Sequence, residues 1–387
     1  MKTHILIGFW RAILNLPDGN QLPFMIEAKE KGTTTTIEII NASERILVDE
    51  YTIEGDSLFI KMPVFDSEIR AQITSGNMSG SFINHSRSTL NVIPFSAKYN
   101  VYDRFDVANT KTPVNINGRW QTKFSEGTAD SSDAIAIFEQ NKNKLHATFL
   151  TSTGDYRYLD GVVDGDSIKL SCFDGSHAFL FLAKYEGNKI EGKFFSGIHW
   201  AEPWNAVRND TIELPDAYAI TYMKPGYNKV EFSFPNTEGE MVKMSDKYFH
   251  NKICIIQIMG TWCPNCMDET KYLAELYKKL NKSEFAIVGL AFEKSHEVEK
   301  NASNINRLKA RFEVGYPILI AGKAAKDEAS KALPMLNKIT GYPTTIIIDK
   351  HGKVRKIHTG FMGPATGKYY DDFTSEFEHF LQMLLKE

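Results

Sequence analysis

The polar and apolar positions follow two different rhythms along the chain. Up to about residue 210, short β-branched and aromatic runs alternate with Gly, Asn, Asp and Ser turns, as at Thr34 to Ile40, Ser57 to Ile60, Ala134 to Phe138 and Phe179 to Ala183. Runs of that length bounded by turn residues predict an all-β half. From about residue 226 the rhythm becomes apolar strand, amphipathic helix, apolar strand, which predicts an α/β half. The stretch Asn209 to Gly226 holds Pro215, Pro225 and Gly226 and reads as a linker.

Within the α/β half the spacing predicts a strand at Ile253 to Met259 and a helix at Pro264 to Leu280. A strand at Phe285 to Ala291 and a helix from about Glu297 to Phe312 follow. A short strand at Pro317 to Ile320 precedes a third helix, Ala324 to Lys338. A hairpin of Thr345 to Asp349 with Val354 to His358 turns at Lys350-His351-Gly352. A last helix spans about Tyr369 to Lys386.

The β half repeats itself. Gly8-Phe9-Trp10-Arg11 returns as Gly118-Arg119-Trp120-Gln121, and Gly55-Asp56-Ser57-Leu58 as Gly165-Asp166-Ser167-Ile168, both 110 residues on. Phe65-Asp66 is answered by Phe173-Asp174. Gly76-Asn77 with Gly80 and Phe82 is answered by Gly187-Asn188 with Gly192 and Phe194. The Trp positions read as core anchors and the Gly positions as turns. The resulting division is 1–105 and 112–210 for two β repeats and 226–387 for the α/β domain, in line with a prior of two to three domains for 387 residues. The repeats fit two small sheets or halves of one sandwich or barrel.

A net charge of −3 supplies no basic field for nucleic acid. No run reaches the roughly 18 to 20 apolar residues of a membrane span. The start, MKTHILIGFWRAILNLPDG, resembles a signal peptide only briefly. Its apolar run is broken by Arg11 and Asn15 and no small-residue cleavage site follows. Four cysteines are too few for a disulfide scaffold, so their placement decides their use.

Cys263 and Cys266 stand two residues apart, after a predicted strand and at the head of a predicted helix. One helical turn lets the two sulfurs close a redox-active disulfide. At the helix N-terminus, unpaired backbone N–H groups and the macrodipole favour a thiolate at Cys263, the nucleophile. Pro264 suits the first helical position, and Cys266, one turn deeper, is the resolving thiol. A zinc site would need further Cys or His at workable spacing, and no second C-x-x-C or H-x-x-x-H exists. No metal and no cofactor are expected. Cys172 and Cys254 read as small buried hydrophobes. His199 has no evident metal partner, and Trp200, Pro203 and Trp204 read as core or interface packing.

Residues 226–387 resemble the thioredoxin-like fold, specifically the extracytoplasmic thiol-disulfide oxidoreductases of the TlpA/ResA type. The likeness rests on Met259-Gly260-Thr261-Trp262-Cys263-Pro264-Asn265-Cys266, Gly341-Tyr342-Pro343-Thr344-Thr345 and Asp349-Lys350-His351-Gly352-Lys353. The helix and strand between residues 297 and 320 resemble that family's insertion. The resemblance implies a cis Tyr342-Pro343 bond facing the disulfide. Trp262, Pro264, Tyr342, Pro343 and Thr344 would then dock a partner, the Tyr342 backbone pairing with its extended segment. Where thioredoxin has a buried Asp, six residues before the nucleophile, stands Gln257. Glu269, three after Cys266, matches the family's acidic residue and is expected to be the acid/base. The other reading of Glu269 is a solvated acid in an early helical turn.

The resemblance implies a reductase of partner-protein disulfides in the periplasm or cell envelope, supplied by a donor of the thioredoxin-reducing type. It implies an export signal, and allows a membrane anchor, outside this chain. The N-terminal half resembles the β-rich regions of TlpA-like proteins of Bacteroides-type bacteria, and would position a partner or the envelope. Two alternatives stand beside this. One is a disulfide-anchored binding module without turnover. The other is a thioredoxin-fold peroxidase, which needs Thr or Ser three residues before its Cys and Pro seven before, where Gly260 and Ile256 stand.

Overall fold

The computed structural model describes residues 5–32, 34–108, 111–325 and 327–387. Met1 to His4, at the head of the stretch weighed above as an export signal, lie outside the described residues. The chain divides into two compact units, Met1–Leu150 with Tyr156–Glu213, and Thr151–Asp155 with Leu214–Glu387.

The first unit is built of antiparallel strands whose neighbours in space are mostly neighbours in sequence. Nine strands from Gly8–Asn15 to Val92–Tyr99 run round a ring joined by pairing of the first with the last. Among the described residues no ladder joins Glu44–Val48 to Glu50–Glu54, so this ring stays open there. The second ring has eight strands, from Gly118–Phe124 to Trp200–Arg208. Those two pair, and Ser132–Asn141 pairs with Lys144–Thr151, so the ring closes into a barrel. Its interior is filled by Trp120, Phe124, Phe138, Phe149, Phe181, Phe194 and Trp204.

The repeat seen in sequence is also a repeat in geometry. Trp10 and Trp120 are both buried, and each indole N–H donates to the carbonyl four residues earlier, Leu6 at 3.0 Å and Ile116 at 2.8 Å. A Cβ at Gly80 would stand 1.9 Å from the Arg70 carbonyl oxygen, and one at Gly192 2.3 Å from that of Leu182. Only glycine admits the crossing strand at either place. Trp204 and Cys172 are buried as expected, whereas Trp200 is an exposed side chain.

The second unit carries a five-stranded sheet with β1 (Ile253–Met259) at its centre. Parallel to β1 run β2 (Phe285–Glu293) and then β3 (Ile318–Lys323). On the other side β4 (Thr344–Ile348) runs antiparallel to β1, and β5 (Val354–Thr359) antiparallel to β4. Every residue of β1, β2 and β4 is buried, as expected of strands covered on both faces. Helices α1 (Pro264–Lys279), α2 (Val298–Phe312), α3 (Glu328–Ala332) and α4 (Lys368–Leu385) complete the unit.

The third helix is much shorter than Ala324 to Lys338. It opens at Asp327, in the left-handed region, and closes at Leu333 before Pro334, which leaves a single turn. Lys326, within that prediction, lies outside the described residues. A small hairpin, Ser233–Pro235 with Met241–Lys243, was not anticipated. The end of the predicted linker is not loose. Lys224 N–H donates to the Met335 carbonyl, and the Thr359 hydroxyl to that of Thr221 at 2.9 Å, inside the second unit.

Candidate active site

β1 ends at Met259 and the chain turns into α1 within four residues, Gly260 to Cys263. Cys263 is the N-cap, with extended backbone, and its sulfur accepts the Cys266 amide at 3.3 Å. Pro264 fills the first helical position, and Lys278 and Lys279 sit favourably in the last turn. Both cysteines are free thiols. Cys263 keeps 6% of its surface exposed and Cys266 none. Burial pushes the Cys266 thiol well above its ordinary range, helped by its proximity to Cys263 and by the charge of Glu269.

Gln257 and Thr345 are direct partners in the β1–β4 ladder, so their side chains leave the sheet on the same face. Both converge on Glu269 of α1. The Thr345 hydroxyl donates to one carboxylate oxygen at 2.7 Å and the Gln257 amide to the other at 2.9 Å. The same Gln257 nitrogen lies 3.4 Å from the Cys266 carbonyl, and the Thr270 hydroxyl holds the Gln257 oxygen at 3.1 Å. Glu269 is buried rather than solvated. Burial lifts its pKa to about 7, against the two hydrogen bonds, which favour the charged form.

The Tyr342–Pro343 peptide bond is cis. The Tyr342 carbonyl accepts the Cys263 thiol at 3.5 Å, and the Pro343 carbonyl accepts the Gly360 amide at 2.8 Å. The Trp262 indole donates to the Phe292 carbonyl at 2.9 Å and meets the Tyr342 ring edge-on at 5.5 Å. Trp262 and Tyr342 are half-buried, whereas Pro264 and Pro343 are buried. Thr344 is the last of the residues expected on the docking side. It is fully buried, and its hydroxyl closes on the Gly341 carbonyl at 2.9 Å, so it shapes the loop from inside.

A second buried carboxylate escaped the sequence reading. Glu293, at the end of β2, accepts the Thr261 amide at 2.8 Å and the Thr261 hydroxyl at 2.6 Å. Burial lifts it too to about 7. The signal available in sequence was an acid closing an otherwise apolar strand, Phe285 to Phe292. No cluster of metal-ligating side chains occurs among the described residues.

Residues 225–357 match the model of the AhpC/TSA family. The thiol-disulfide oxidoreductase ResA of Geobacillus thermodenitrificans is 30% identical over 142 residues, which is 37% of this chain and 73% of that protein. The chain belongs to the ResA-type thiol-disulfide oxidoreductases. A second ResA, from Halalkalibacterium halodurans, is 27% identical over 36% of this chain and 70% of its own. A solved thiol:disulfide interchange protein of the thioredoxin family from Chlorobium tepidum TLS is 22% identical. It covers 42% of this chain and 99% of its own, with a TM-score of 0.32. As a ResA-type enzyme the chain is a thioredoxin-like thiol-disulfide oxidoreductase, with its C-x-x-C at the head of α1.

Proposed function

We propose that this ResA-type oxidoreductase reduces disulfides of partner proteins outside the cytoplasm, using Cys263 and Cys266. The Cys263 thiolate attacks one sulfur of the partner's disulfide. That bond breaks, a Cys263–partner mixed disulfide forms, and the released partner sulfur takes up a proton. Cys266 then gives its proton to the Glu269 carboxylate and attacks Cys263. The mixed disulfide breaks, the Cys263–Cys266 disulfide forms, and the second partner sulfur leaves as a thiolate that takes up a proton, so the partner departs as a dithiol. Two electrons have moved from this chain to the partner, and a donor of the thioredoxin-reducing type restores the dithiol. Trp262, Tyr342 and the backbone around Pro343 form the docking side, while Pro264 starts the helix.

The observation that carries this reading is the buried Glu269 carboxylate, held by Thr345 and Gln257 one turn from the buried resolving thiol and raised to about 7 by burial. A proton acceptor titrating near working pH is suited to activating such a thiol. The experiment is equilibration of the purified chain in glutathione buffers, together with insulin reduction driven by a dithiol donor. A potential below about −200 mV, with insulin turnover, supports a reductase. A potential near that of strong oxidants, about −120 mV, reverses the direction. Absence of turnover sinks the enzymatic reading.

A further inference from the structure

The unit that carries Cys263 includes five residues from far upstream, Thr151–Asp155. They close on themselves as a turn, the Thr151 hydroxyl donating to the Gly154 carbonyl at 2.8 Å. Asp155 is buried. One of its carboxylate oxygens accepts the Gly363 amide at 2.7 Å and the Asn265 side-chain amide at 3.1 Å. The same Asn265 nitrogen lies 3.0 Å from the Asp155 carbonyl and 3.4 Å from that of Phe361. Asn265 stands between the two redox cysteines.

Thr153 lies against two further backbone elements of the site. A Cβ at Gly341 would stand 2.5 Å from the Thr153 methyl, and one at Gly360 2.7 Å from the Thr153 carbonyl carbon. At Gly154 a Cβ would stand 2.7 Å from the Asn265 amide nitrogen. Glycine at these three positions lets the segment approach this closely. The elements touched are the C-x-x-C dipeptide, the start of the Tyr342–Pro343 loop, and the Gly360–Gly363 turn, whose first amide bonds Pro343.

We infer that Thr151–Asp155 is a specificity element of the exchange site, a wall that admits slim extended segments of partner proteins and excludes bulkier ones. The inference rests on the exchange reaction at Cys263 proposed above. A partner strand pairing with the Tyr342 backbone would run beside Gly341, where Thr153 stands. The Asp155 carboxylate and carbonyl accept from Asn265, and the carboxylate also from Gly363, so the segment gives a bulky incoming chain obstruction rather than recognition. Small disulfides need only the sulfur of Cys263, and they pass the wall.

The test compares kcat/KM for insulin and for the small disulfide 5,5′-dithiobis(2-nitrobenzoate), with dithiothreitol as donor, in the full chain and in two variants. Asp155→Ala removes the acceptor of both amides, and Thr153→Gly removes the side chain over Gly341. The insulin-to-small-disulfide ratio is expected to rise about tenfold in at least one variant that keeps a cooperative melt. A ratio that is unchanged in both, or that falls, overturns the wall. A starting chain that turns over neither substrate overturns the exchange reading and the wall with it. A starting chain that reduces small disulfides while the ratio stays fixed overturns the wall alone.

Discussion

Gln257 donates its side-chain amide to the Glu269 carboxylate at 2.9 Å, from the strand position six residues before the nucleophile. The amide cannot take a proton, so proton transfer in this buried pocket falls to the carboxylate it orients. Glu269→Gln is expected to keep the Thr345 and Gln257 contacts in outline while removing the proton acceptor. Turnover with a dithiol donor should fall by about 10²-fold or more. Formation of the first mixed disulfide should be little changed, and the limb of the pH–rate profile near 7 should disappear. An unaltered profile would remove Glu269 from the chemistry.

Stability of the redox unit should depend on pH through two buried carboxyls and one half-buried imidazole. Glu269 and Glu293 are raised from 4.5 to about 7 by burial, so the native state binds these protons more tightly than the unfolded chain. Each group's contribution therefore declines as pH rises from about 4.5 to 7, by on the order of 3 kcal/mol. Half-buried His358, lowered to about 4 by desolvation, acts in the opposite sense. Its penalty grows as pH falls from 6.5 towards 4. With two groups against one, urea unfolding is expected to show lower stability at pH 7 than at pH 5.5. Glu269→Gln should flatten that slope, and a further Glu293→Gln should reverse it.

Strand and helix identity in the α/β half was legible because periodicity and capping agreed. Ile253–Met259 is apolar except for Gln257, and Pro264 marks the first helical residue. The third helix misled, because the apolar positions after Ala332 belong to residues buried in irregular chain, Leu333, Met335 and Leu336. The C-x-x-C and Glu269 are spaced within one helix and can be read locally. Glu293 and Asp155 could not be read that way. Their partners, Thr261 and Gly363, lie 32 and 208 residues away in sequence and meet them only through the sheet and its loops.

Thr261 donates twice to the Glu293 carboxylate, through its amide and its hydroxyl, just ahead of the nucleophile. Thr261→Val deletes the hydroxyl donor and leaves one carboxylate oxygen of a buried acid with less than it needs. A loss of about 1–3 kcal/mol in urea unfolding is expected, with Glu293 pushed further up. Thr261→Ser, which keeps the hydroxyl, should restore most of it. A loss of stability in Thr261→Ser with none in Thr261→Val would mean that the methyl group, and not the hydrogen bond, is what matters.

In the first unit, Arg104 is almost fully buried and joins residues of both rings. Its guanidinium reaches Asp160 at 3.0 Å, the Ser171 hydroxyl at 3.1 Å and the Pro23 carbonyl at 3.3 Å. Arg104→Ala strands several buried acceptors at once and should cost about 3–5 kcal/mol. Arg104→Lys should recover only part, since a point charge cannot serve the same fan of acceptors. Thermal unfolding of both variants checks the order. A lysine variant as stable as the original would show that charge alone suffices.

The division of labour between the two cysteines follows from depth. Cys263 retains some exposure and caps the helix, while Cys266 has none and its thiol is held high by burial. A partner disulfide can therefore meet Cys263 but not Cys266. Cys266→Ser is expected to let the first exchange proceed and block the second, so a covalent adduct accumulates with the partner attached through Cys263. Cys263→Ser should form no adduct and show no turnover, although Cys266 remains. Non-reducing electrophoresis and intact-mass measurement after mixing each variant with a disulfide-bonded peptide distinguish the cases. The adduct should carry one peptide chain and be released by dithiothreitol. Its appearance in the Cys263→Ser variant would exchange the two roles, and its absence from both would place the entering sulfur outside this pair.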